Sequence, residues 1–128
     1  MPIYRNLAGR NQGKAADYVT ADAAWVDGVH TTIGYFRMAA HGHSNPHYHH
    51  DEQFLYLLKG GLRIAVEGEI LEAAPGDLVQ FRPGEVHEIM ALDEPVELLL
   101  TRSPARPGLE VLAVTPEGAR ARSLLRPE

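Results

Sequence analysis

Five of the seven histidines in this sequence, His41, His43, His47, His49 and His50, fall within a window of ten residues. Imidazole coordinates metal ions while neutral near pH 7, so the cluster points to metal chemistry rather than to a solvated turn. In an extended chain, side chains alternate between faces. His47, His49 and Gln53 can therefore share one side while His50 and Glu52 take the other. A further ligand is expected from His87, which follows the turn Arg82-Pro83-Gly84-Glu85 and opens another β-prone run. His41 and His43 fall on the loop leading in and, like His50, are expected near the site or at the surface.

The sequence holds no cysteine, so thiolate ligands, disulfides and cysteine nucleophiles are excluded. Imidazole nitrogen and amide oxygen suit one divalent ion of Fe, Mn, Ni, Co, Cu or Zn, and affinity order does not choose among them. With four neutral ligands the ion keeps its full positive charge, which favours an anionic or oxygen-rich small molecule. Three or four protein ligands also leave room for water or substrate on a six-coordinate ion, as catalytic sites require. Tyr35, Arg37, Phe54, Tyr56, Leu98 and Leu100 are candidates for the pocket wall, and alternation must turn about half of them outward. Of these, Tyr35, Arg37 and Tyr56 could bind substrate or move protons.

The elements that must position these groups are short. Runs rich in β-branched, aromatic and other apolar residues span Thr31 to Met38, Phe54 to Leu58, Leu62 to Val66, Ile70 to Ala73, Leu78 to Phe81, Val86 to Ala91, Val96 to Thr101 and Leu109 to Val114. Gly and Pro punctuate them at Gly60-Gly61, Gly68, Pro75-Gly76-Asp77, Pro83-Gly84, Asp93-Glu94-Pro95 and Pro107-Gly108. Short strands at regular spacing predict an all-β sandwich or barrel. Residues 1–24 show little periodicity and are expected to form an irregular N-terminal arm. Thr115, Pro116 and Glu117 predict the start of a short C-terminal helix over 115–125.

At 128 residues the chain fits one domain, with a barrel core over 29–114 and a tail over 115–128. The net charge of -5 opposes a nucleic-acid backbone, and no apolar run is long enough to span a bilayer. The first residues, Met1-Pro2-Ile3-Tyr4-Arg5-Asn6, lack the features of a secretory signal, so a cytoplasmic location is expected. A homodimer is expected too, with the unplaced arm adding to a partner's sheet edge.

The ligand pattern resembles the cupin superfamily. Its first motif, Gly, five residues, His-x-His, three or four residues, Glu or Gln, six residues, Gly, is similar to Gly42, His47, His49, Gln53 and Gly60, with Gly42 one residue closer. Its second motif is similar to Gly76, Gly84 and His87, with Arg82 and Ala91 in place of Pro and Asn. The resemblance spans roughly residues 29–101 and implies a double-stranded β-helix, or jelly-roll, barrel holding one metal ion. Small cupins also usually pair. The segment Ser103-Pro104-Ala105-Arg106 looks like cupins that convert unsaturated uronates, which would make Arg106 a binder of the substrate carboxylate. Leu100 and Arg102 stand where that group has an Asp and an aromatic, so its acid or base is missing. The stretch Tyr48 to Gly60 is also similar to cyclases of aromatic polyketides. The resemblance thus implies a metal-dependent enzyme of the dioxygenase, isomerase, lyase or cyclase kind, or alternatively a non-catalytic metal- or metabolite-binding barrel.

Overall fold

Alternation of apolar and polar side chains builds the walls of this protein. The computed structural model describes residues 1–10, 12–16, 19–106, 111–113 and 125. A 3-10 turn at Leu7–Gly9 precedes eleven strands among the described residues. They are β1 (Lys14–Ala16), β2 (Val19–Asp27), β3 (Thr32–Met38), β4 (His47–His49), β5 (Glu52–Lys59), β6 (Leu62–Val66), β7 (Glu69–Ala73), β8 (Leu78–Phe81), β9 (His87–Ala91), β10 (Val96–Ser103) and β11 (Val111–Ala113). They form a six-stranded sheet in the order β1-β2-β3-β10-β5-β8 and a five-stranded sheet in the order β11-β4-β9-β6-β7. Every pairing between neighbours is antiparallel.

On β10 the side chains of Val96, Leu98, Leu100 and Arg102 are buried while their neighbours are half-exposed. On β3, Thr32, Gly34, Phe36 and Met38 turn inward. Leu55 and Leu57 of β5 meet Leu62 and Ile64 of β6 and Ile89 of β9 in one core between the sheets. The β6–β7 hairpin turns at Glu67 and Gly68, both with positive φ, which is the backbone twist a two-residue hairpin requires. No helix among the described residues is long and apolar enough to cross a membrane.

The expected strands from Thr31 to Thr101 all form, with ends shifted by at most two residues. The irregular arm expected over 1–24 does not form as such. Instead, β2 runs antiparallel to β3 from Asp22↔Arg37 to Asp27↔Thr32. The buried residues of β2 include Val19, Ala21, Ala23 and Ala24, and alanine gives too little hydrophobic contrast for the period of two to stand out. The arm is thus part of its own chain's sheet, which removes the argument that an unplaced arm must join a partner's edge. Val111–Ala113 pairs with β4. The rest of the expected Leu109 to Val114 strand and, apart from Leu125, the helix over 115–125 lie outside the described residues.

Gly34 shows how closely β2 is fitted. A Cβ there would stand 2.9 Å from Trp25 Cζ3 and 3.2 Å from Leu100 Cγ. Gly34→Ala should therefore lower stability by about 1–3 kcal/mol through overpacking, read as a lower denaturant midpoint. An unchanged midpoint would mean that Trp25 is not seated on Gly34.

Candidate metal centre

The site lies where the two sheets close on each other. His47 and His49 flank Tyr48 on β4, so period-two alternation turns both imidazoles to the same side. His47 is paired in register with His87, the first residue of β9. The turn before β9 is fixed by Gly84, with φ +82, whose amide donates to the His49 carbonyl at 2.8 Å. Gln53 enters from β5 on the same parity, and its Oε1 lies 2.8 Å from His49 Nε2.

Each imidazole is held by its other nitrogen. Nδ1 of His47 lies 2.7 Å from the Asn45 carbonyl, Nδ1 of His49 lies 3.1 Å from the Asp51 carbonyl, and Nδ1 of His87 lies 2.9 Å from the Glu85 carbonyl. A carbonyl only accepts hydrogen bonds, so in each neutral ring Nδ1 carries the proton and Nε2 keeps its lone pair. One ring nitrogen from each histidine lies within 4.8 Å of the others. Ligands on one six-coordinate ion with bonds of ~2.1 Å stand roughly 3–4 Å apart. The donor set therefore fits an ion. Gln53 reaches the same Nε2, so its amide oxygen can add an oxygen donor to the three imidazoles.

The surroundings are apolar and tight. His47, His49 and His87 are each at most 5% exposed. The ring of Phe81 stacks on His87 with centroids 3.9 Å apart and planes 9° from parallel. Val19, Trp25, Phe36, Leu55, Ile89, Leu98 and Leu100 line the cavity with Ser44, Gln53 and Arg102. The space open to the centre of a water molecule is about 30 Å³, enough for an ion with one or two waters.

Behind His49 sits a fully buried carboxylate. Asp51 Oδ1 lies 3.0 Å from His49 Nδ1. Arg102 grips Asp51 with two bonds, Nε to Oδ2 at 2.5 Å and Nη2 to Oδ1 at 2.9 Å. Burial pushes the Asp51 carboxyl up, but the hydrogen bonds and positive charge of Arg102 hold it below its ordinary value. Asp51 shares the parity of His47, His49 and Gln53, a signal present in the sequence that the ligand pattern overshadowed. Arg102 alternates with Leu98 and Leu100 on β10 and could have been placed in the same way.

The other candidates lie elsewhere. Tyr35 and Arg37 point to the outer face of the six-stranded sheet, where both contact Glu97. Lys59 joins them, 3.2 Å from Glu97. Tyr56 is 43% exposed on that same outer face. Phe54 has the same outward parity, leaving Leu98 and Leu100 as the expected wall residues that face the cavity. Arg106 pairs with Asp27 at 3.0 and 3.2 Å, and its guanidinium lies 4.3 Å from the centre of the Trp25 ring. It therefore braces the outside of the cavity wall instead of reaching the imidazoles. His41 and His50 are exposed, and His43 bridges to Met90.

Burial lowers the His47 pKa from 6.5 to about 4, with the neighbouring charges of His49 and Arg102 adding to the effect. Burial and His47 push His87 well below its ordinary value. In the unfolded chain these rings take up protons first. The stability of the ion-free protein is therefore complete above pH 6.5 and should be lost as the pH falls from 6.5 towards 4. For His47 alone the loss is on the order of 3 kcal/mol at about 1.4 kcal/mol per unit. Urea midpoints measured across this window should fall with acidification and fall less in His47→Gln. A flat profile in the wild type would mean that the rings are solvated.

The fold has solved counterparts. The polyketide cyclase RemF from Streptomyces resistomycificus superposes with a TM-score of 0.77 at 18% identity, over 90% of this chain and 87% of that one. KdgF from Halomonas sp. superposes with a TM-score of 0.71 at 18% identity, over 84% of this chain and 98% of that one. An oxalate decarboxylase from Lactobacillus farciminis, in a formate complex, superposes with a TM-score of 0.69 at 19% identity, over 89% of this chain but 38% of that one. At these identities the likeness shows a shared fold. No curated protein matches the sequence. The family profile described as Cupin domain matches residues 34–102, more than half of the chain and the segment that carries all three imidazoles and Gln53, so this chain belongs to the cupin family.

Proposed function

We propose that this cupin is a metal-dependent enzyme in which His47, His49, His87 and Gln53 hold one divalent transition-metal ion next to a small substrate with anionic oxygen. The observation that carries this reading is the fixed tautomer of the three rings. Each Nδ1 is tied to a backbone carbonyl, so each Nε2 offers a lone pair inside a cavity that Gln53 Oε1 also enters. Hydrogen bonds of this kind orient ligands and raise their basicity in metal sites. When bound, such an ion supplies Lewis-acid polarisation of a substrate oxygen or, if it is redox-active, dioxygen chemistry.

The chain's own residues would do the rest. Trp25, Phe36, Phe81, Leu98 and Leu100 exclude water and select a compact molecule. Arg102 is the cationic group at the wall, beside the imidazoles, Ser44 and Gln53. The solved neighbours include enzymes, a polyketide cyclase and oxalate decarboxylases, which supports a catalytic reading. One observation favours a second reading, a barrel that captures a metabolite without turning it over. The tyrosines and arginines expected to move protons, Tyr35, Arg37, Tyr56 and Arg106, all lie outside the cavity.

Elemental analysis of untagged protein tests the proposal. About one transition-metal ion per chain is expected, absent from His49→Ala and reduced in Gln53→Ala. Adding the ion to stripped protein should also raise the free energy of unfolding by about 2.7 kcal/mol at a hundredfold excess over Kd, read as a higher unfolding midpoint. Untagged protein that neither carries nor takes up an ion would overturn the reading.

A further inference from the structure

We infer that Arg102, held in place by Asp51, is the anchor for a carboxylate group on the substrate. The inference rests on the metal-site reading above and adds to it both a recognition residue and a substrate class, small carboxylic acids. Arg102 is 5% exposed and lines the same cavity as the three imidazoles and Gln53. Its backbone pairs in register with that of Gln53, so its side chain rises on the cavity side of β10 next to a proposed ligand. Its positive field reaches both His47 and His87.

A guanidinium offers five N–H donors. Asp51 takes bonds from Nε and Nη2. Nη1 has no hydrogen-bond partner among the described residues. The grip of Asp51 fixes the plane of the guanidinium, so the remaining arm of a cavity-lining arginine is preorganised. A carboxylate there would meet Nη1 on one side and the ion's uncompensated positive charge on the other. Asp51 offsets much of the guanidinium charge, so the anchor acts through the remaining N–H donors of Arg102 rather than through net charge.

Titration calorimetry with glycolate, and with glycolamide as its neutral counterpart of equal size, tests the anchor on protein of known ion content. Wild type should prefer glycolate by about tenfold or more, because a site built for a charge-assisted bond rejects the analogue that cannot make it. The double variant Asp51→Asn/Arg102→Gln keeps a hydrogen-bonding pair without burying an unpaired charge. In it, the preference should fall to about threefold or less when each protein is titrated at its own measured ion content. If the double variant does not fold, as judged by circular dichroism, Arg102→Lys decides. Lysine lacks the planar fork, so an ammonium seated on Asp51 no longer holds a donor fixed at the position of Nη1, and glycolate should bind at least about fivefold more weakly. Undiminished preference in the folded double variant, or unchanged glycolate affinity in Arg102→Lys, would overturn the anchor, as would wild type that binds neither probe. If the protein holds no ion, the metal reading fails separately, and the same titrations on ion-free protein still decide the role of Arg102.

Discussion

The arrangement of this site depends on three hydrogen bonds from imidazole Nδ1 to backbone carbonyls. Placing three imidazoles in an apolar barrel is costly unless each finds partners for its polar atoms. The carbonyls of Asn45, Asp51 and Glu85 meet that need on one edge of each ring. In doing so they fix the tautomer, and with it the chemistry left on the other edge. The three acceptors lie two residues from the histidines they hold, so the chain that supplies each ligand also orients it. Strand pairing then needs only to bring β4 and β9 together at His47↔His87.

Most of the fold was legible in the sequence because its signals are local. Period-two runs and Gly or Pro turns identified the strands from Thr31 to Thr101, and the parity of His47, His49 and Gln53 identified one face. His87 could be added because Pro83-Gly84 marks a turn immediately before it. What stayed hidden was non-local or low in contrast. The alanines of β2 carry too little hydrophobic signal to declare a strand, and the pairing with β3 that makes it one joins residues far apart along the chain.

The catalytic candidates fared worse for a related reason. Residue type suggested Tyr35, Arg37 and Tyr56, but chemistry also needs the right face, and strand parity decides that. Phe36 and Met38 are strongly apolar inward positions of β3, which forces Tyr35 and Arg37 outward. Leu55 and Leu57 do the same to Tyr56 on β5. Applied to β10, the same rule turns Arg102 inward with Leu98 and Leu100. The informative residue was the polar one that shares parity with the core, and a buried charge of that kind commonly marks function.

The Asp51–Arg102 pair also shows what stability alone would not select. A buried ion pair gives up the solvation of both charges, and apolar residues of similar volume often stabilise a core as well or better. The core around it offers such a solution, since Leu98 and Leu100 already fill the preceding inward positions of β10. Asp51 instead touches His49 and Arg102 lines the cavity. The pair therefore sets the field felt by the imidazoles from inside the wall. A buried polar pair that touches a candidate ligand and lines the cavity is better explained by what it does there than by what it adds to the core.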